Sequence, residues 1–264
     1  MNGELAALVT LATYGSDWLS ASASGDAPEL AETNSSFQYV HRLVFESPET
    51  RLLGRKRSAT GTGSWLRDLR RSRADRIFVV TSAQSEGPLP NHIASAFANG
   101  VRWGLLTTGP KPWLWFADWQ TSDLQAVDSR IWNVTTSCVR AEGAIPRSPD
   151  VAQASETLDA RLASIGEFAA RQGFDDWLPW FQRASSLLDD PAPVPRYHAD
   201  MIPVGRPVEQ RQLAAAAIEA WVFGGMGSWN DVWLPDEHER AEYDKHTAGL
   251  YSAVVDALLA VANA

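Results

Sequence analysis

The chain reads as an α+β protein. It should have a mixed, largely antiparallel sheet in the N-terminal half with flanking helices, and a helical C-terminal half. Three observations carry this reading. Short runs rich in Val, Ile, Phe, Trp and Thr, parted by Gly- and Pro-bearing connections, lie between residues 37 and 140. After residue 150, apolar residues recur at helical spacing. The change of character falls at Pro146. The expected division is therefore a sheet-containing region, 1–145, and a helical region, 146–264, packed on it as a second domain or as part of one fold.

In chain order, Glu4 to Trp18 predicts a helix, with Leu5, Leu8, Val9 and Ala12 on one face. Ser20 to Ser36 is small and polar and predicts a loop. Phe37, Tyr39, His41, Leu43 and Phe45 alternate with polar residues, which predicts a strand with one buried face. Arg51 to Ser64 is basic and glycine-rich and reads as a loop, with a short helix over Trp65 to Arg73. Arg76 to Thr81 is a short apolar run and reads as a central strand; Asn91 to Asn99 reads as a short helix. Val101 to Thr107 and Pro112 to Trp119, joined by Thr108-Gly109-Pro110-Lys111, predict a hairpin. Ile131 to Arg140 is a further strand. Asp150 can cap a helix carrying Val151, Ala154, Leu158, Leu162, Ile165 and Phe168. A second helix follows around Phe174 to Phe181. After a proline-rich connector, 189–195, Pro207 opens a third that runs to Trp221, and Pro235 opens the last.

Composition narrows the function classes. The 264 residues are 45% apolar with a net charge of −9, which suits a globular protein with a sizeable core. An acidic total argues against general nucleic-acid binding, which needs basic surface. The lone Cys138 excludes an internal disulfide and fits a reducing compartment. The apolar stretch Leu5 to Leu11 follows Glu4 and lacks the basic start of a secretory signal. No apolar run approaches the ~20 residues of a membrane span. The expected setting is the cytoplasm, with no membrane and no nucleic-acid partner. Twelve tryptophans are the compositional oddity. They serve either a bulky core or an aromatic-lined pocket, and core is the better reading because pockets use few aromatics.

The run Trp221 to Asp231 is the most distinctive place in the chain, with Gly224, Gly225 and Gly227 set among aromatics. Such glycine density calls for positive φ or a close approach to the backbone. Read functionally, Gly224, Gly225, Gly227 and Asn230 would touch a ligand, Trp229 would stack on it, and Asp231 would serve as a catalytic base. Read structurally, Gly224 or Gly225 caps the preceding helix, and Asn230 or Asp231 fixes a turn. The stretch Phe223 to Asp231, FGGMGSWND, resembles one in a family of small uncharacterised bacterial proteins. The resemblance covers about the last fifty residues. It implies a bacterial source and carries no activity and no site residue.

A second candidate is the loop Gly54 to Ser64. Residues 51–76 hold nine Lys/Arg and two acids, a local charge of +7. A glycine-rich loop that enters a helix beside cations is how an anion site is built. Arg55, Lys56, Arg57, Gly61, Gly63 and Ser64 would form it. The Gly-Lys-Ser/Thr ending of a P-loop is absent, and a solvated basic loop explains the same residues. On the last helix, His238, Glu242 and His246 share a stripe, but the two histidines sit about 12 Å apart and their neighbours are charged, so no metal site and no cofactor are expected. Trp113, Trp115 and Trp119 share one face of a strand, and Leu114 and Phe116 lie on the other, which reads as a strand buried on both sides. Gly-x-Ser-x-Gly and His-Glu-x-x-His motifs are absent.

Two functions from different classes remain. The leading one is a cytosolic bacterial binding or interaction protein, for example one that neutralises a basic protein partner through an acidic, aromatic surface. The alternative is an enzyme or binder for an anionic small molecule such as a phosphorylated metabolite or nucleotide, held by the two glycine-rich loops in one pocket. An assembly role that buries the Trp stripe in a homo-oligomer is third.

Overall fold

The structure, a computed structural model, describes residues 1–21, 25–50, 56–81, 89–142 and 149–264, with residues 49, 50, 56 and 57 described in their backbone only. The architecture is α+β. Six strands form one mixed sheet: β1 (Val40–Thr50), β2 (Lys56–Thr60), β3 (Ile77–Thr81), β4 (Trp103–Thr107), β5 (Trp113–Thr121) and β6 (Trp132–Arg140). Their order is β2-β1-β6-β5-β4-β3. Neighbours are antiparallel except β1 and β6, which run parallel. The β4–β5 hairpin forms where the sequence places it, with Thr107 opposite Trp113.

Helix α1 (Gly3–Ser20) starts at Asn2, whose side chain accepts the Leu5 N–H at 3.0 Å. It is buried on nearly every side from Glu4 to Ser16, because it lies between β3 and β4 on one flank and the C-terminal helix on the other. Small residues allow that position: a Cβ on Gly15 would stand 2.5 Å from Ile77 Cδ1. Two short helices, α2 (Leu30–Thr33) and α4 (Asn91–Ala94), and the ten-residue α3 (Thr62–Arg71) complete the sheet half. Trp65 of α3 stacks on Phe45 of β1 at 4.3 Å and meets Trp115 of β5 edge-on at 5.6 Å. The covered face of the sheet is thus aromatic at its centre. On the opposite face Leu114 and Phe116 are half-buried and Val139 is exposed.

The C-terminal half is helical: α5 (Val151–Gln172), α6 (Leu178–Ser186), α7 (Val208–Glu219) and α8 (Glu237–Ala262). Asp150 caps α5 through its side chain, and Gly173 ends it at φ 70°. Helix α5 packs on α6, α7 and α8, and α8 reaches back to α1 and β3. One continuous apolar core takes in residues of both halves. No helix among the described residues is long and apolar enough to cross a membrane.

Four sequence expectations are corrected. Lys56–Thr60 is a strand, not a loop; it is an edge strand, and its polar residues gave no apolar signal. The Ile77–Thr81 strand lies at the other edge of the sheet, not its centre, and owes its apolar character to α1 and α8 above it. The alternation from Phe37 to Phe45 is broken. Phe37 lies in a 3-10 turn, and the β1–β6 register shifts by one residue between Val40 and Arg42, so Val40, Leu43 and Phe45 are buried while Tyr39 and His41 are exposed. Within the stretch read as loop, Leu30–Thr33 forms a helical turn.

Candidate functional site

The glycine-rich run folds into a closed loop between α7 and α8. Helix α7 ends at Glu219 with Ala220 as its cap, so neither Gly224 nor Gly225 ends that helix. Of the three glycines only Gly227 has positive φ, at 81°. A Cβ on Gly224 would meet Ser228 Cβ at an ordinary 3.5 Å, and one on Gly225 would meet nothing within 4 Å. The loop closes where the Trp229 N–H donates to the Val222 carbonyl at 3.2 Å. Ser228 Oγ donates to the Gly224 carbonyl at 3.1 Å. The Gly227 N–H donates to Asp231 Oδ2 at 2.5 Å, so that carboxylate tightens its own turn while remaining exposed.

Trp229 points inward and is fully buried. Phe174, Trp177 and Phe181 meet it edge-on at 5.3 to 5.8 Å, and its Nε1 donates to Thr247 Oγ1 at 2.8 Å. It is the plug that fixes the loop to α6, the connection before it and α8, and its ring has no face left for a ligand. Asn230 fixes the loop on the other side: its Oδ1 lies 2.9 Å from His92 Nδ1, and its Nδ2 donates to the His92 carbonyl at 3.2 Å. Gly224, Gly225 and Ser228 are left at the lip of a cleft.

That cleft is about 450 Å³ in volume. Trp119 at the end of β5, Trp132 at the start of β6, Trp177 and Trp180 at α6, and Tyr197 and Trp221 from the connections flanking α7 converge on it, with the start of α1 as its floor. Trp119 and Trp132 meet edge to face at 6.0 Å. The aromatic wall answers the question the composition raised. Trp65, Trp103, Trp115 and Trp229 are core residues, whereas five of the twelve tryptophans line this cleft, Trp221 among them from within the core.

Two carboxylates belong to the site. Glu219 has no exposed side-chain surface; Arg183 Nε and Arg196 Nε lie 3.2 and 3.1 Å from its Oε1, and the Arg196 backbone N–H donates to Oε2 at 3.0 Å. Glu4, in the first turn of α1, is only 6% exposed. Its Oε2 accepts the Asn99 backbone N–H at 3.3 Å, and among the described residues no basic side chain pairs with it. Burial pushes the Glu4 carboxyl up from 4.5 to about 7, against the pull of the Asn99 N–H, and the Asp118 charge adds to the rise. Asn99 holds both sides of this corner. At φ 58°, a conformation asparagine tolerates, it also exchanges two side-chain hydrogen bonds at 3.0 Å with the Trp119 backbone. Glu4, Asn99 and Glu219 were invisible as site residues in the sequence, where each is a lone polar residue in an apolar or loop segment.

The basic loop lies elsewhere. Arg55 is outside the described residues, and Lys56 and Arg57 are described only as backbone in β2. Gly61, Gly63 and Ser64 do not line the cleft that Gly224 and Gly225 line. The start of α3 already holds an anion, the side chain of Glu29. The Gly63 N–H donates to Glu29 Oε2 at 3.1 Å, and a Cβ on Gly63 would overlap Glu29 Oε1 at 2.1 Å. Gly61, at φ 78°, turns the chain into this contact, and Ser64 Oγ accepts from Arg67 at 3.3 Å.

On α8, Glu242 pairs with Arg171, and His246 stacks on Phe168 at 5.2 Å while His238 is exposed. Among the described residues no group of three or more His, Cys, Asp or Glu side chains is placed to hold a metal. The stripe Trp113, Trp115 and Trp119 runs along β5 from the edge of the aromatic core to the cleft, with Trp115 buried and the other two half-buried. Compared with family models, curated proteins and solved structures, the chain matches none.

Proposed function

We propose that this chain is a binding protein and that its site is the tryptophan-lined cleft above the start of α1. The carrying observation is convergence: five indoles and one phenol from both halves of the chain face a volume of about 450 Å³. This is the size of a small-molecule site, in which apolar and aromatic walls supply affinity and a few polar groups fix orientation. The half-buried indoles of Trp119, Trp132, Trp177 and Trp180 forgo full burial in the core, which favours a ligand that covers them. The lone Cys138 supports a cytosolic setting, and the FGGMGSWND stretch supports a bacterial one.

A second reading, a protein partner that docks on the same loop, draws on Met226 and Trp233. Both are exposed, Trp233 to 75%, in the segment between α7 and α8. Native mass spectrometry of the gently purified protein separates the two. Small-molecule binding gives a mass excess that is reduced in Trp132→Ala and retained in Trp233→Ala. A bare protein mass, with a partner chain lost on Trp233→Ala, contradicts the cleft and supports docking.

A further inference from the structure

Resting on the reading of the cleft as a binding site, we propose that its ligand is a small organic cation, an alkylammonium or quaternary ammonium compound, held between indole faces and the Glu4 carboxylate. The argument is one of unmet charge in an aromatic enclosure. Glu219 is answered by Arg183 and Arg196, whereas Glu4, equally withdrawn from water, has one backbone N–H at 3.3 Å and no basic partner among the described residues. A carboxylate in that position is costly and takes up a proton unless a positive group meets it. Asp118, of the same sign, acts on Glu4 from outside the cleft lining, and the Met1 amino group that does line the cleft is pushed down by burial to about 6, largely neutral at pH 7, so an anionic ligand would meet the Glu4 carboxylate. A neutral apolar ligand would fill the cleft and leave Glu4 unmatched. A cation with an apolar body satisfies both walls, because indole is the best ring for a cation placed over its face. The wall already shows this contact: the Arg196 guanidinium lies 3.9 Å from the ring centre of Trp180. Trp119 and Trp132 stand on the side of Glu4 bridged by Asn99.

The test uses choline and its neutral isostere 3,3-dimethyl-1-butanol, titrated calorimetrically into the intact protein and into Glu4→Gln and Glu4→Asp. We expect choline to bind at least about tenfold more tightly than the isostere. Glu4→Gln should abolish that preference, and Glu4→Asp, which keeps the charge, should retain most of it. Circular dichroism of each variant separates a lost site from a lost fold. Equal binding of the two probes, or choline binding unchanged in Glu4→Gln, overturns the cation and leaves the cleft as a site for neutral ligands. Binding of neither probe also overturns the cation; if native mass spectrometry then shows only the bare chain, the reading of the cleft falls with it.

Discussion

Glu4 is the residue on which the most consequences turn. It sits in the first turn of α1, where the helix dipole favours a carboxylate, yet burial outweighs that help and lifts its pKa to about 7. The unfolded chain titrates this group near 4.5. Between those values the folded state binds the extra proton, so the group's contribution is fully present below 4.5 and is lost as pH rises through 7. The slope is at most about 1.4 kcal/mol per pH unit. Glu4→Gln cannot titrate, so its stability relative to the parent should improve between about pH 4.5 and about pH 7 and level off above. Urea unfolding across that range measures this, and a constant difference between the two proteins would show that Glu4 is not desolvated. Residue-level legibility was uneven. Gly227 needs its positive φ, as glycine density suggested, but Gly224 and Gly225 need neither positive φ nor close approach. The position of Trp229 in a glycine-rich loop suggests a ligand platform; its neighbours Phe174, Trp177 and Phe181 come from another helix region, and nothing local in the sequence announces that they close over it.

At the scale of elements, the long helices were legible because caps and apolar period agree. Asp150 and Gly173 bracket α5, and the face Tyr243, Thr247, Leu250, Tyr251, Val254, Leu258 and Val261 on α8 is buried throughout. Edge strand β2 was not legible, since Lys56–Thr60 has little apolar surface and gains its order from pairing with β1. Helix α3 shows a different limit. Its glycine-rich entry does bind an anion, but the anion is Glu29 from more than thirty residues earlier, a tertiary fact that spacing does not reveal. Glu29→Ala leaves the buried Gly63 N–H unpaired and should cost about 1 kcal/mol, the usual value of a lost helix cap. The expected sign is a lower urea midpoint at unchanged slope. An unchanged midpoint would mean water replaces the carboxylate at no cost.

For the whole molecule, the fold class followed from the contrast between the β-rich and helical halves. The cleft did not, because it is assembled from eight segments: the start of α1, the loop after α4, the end of β5, the start of β6, α6, the connection before α7, the end of α7, and the loop that Trp229 anchors. Each contributes one or two aromatic or polar residues that look like core or loop when read alone. Gly224, Gly225 and the high tryptophan count pointed towards the site, but the count could not separate Trp65 in the core from Trp132 at the rim. The twelve indole N–H groups make the central claim directly measurable, since each gives its own signal in a proton–nitrogen correlation spectrum. On titration with choline, the signals of Trp119, Trp132, Trp177 and Trp180 should shift together and saturate, while those of Trp65, Trp103 and Trp229 stay in place. Shifts confined to exposed Trp233, or spread evenly over all twelve, would contradict the cleft as the binding site.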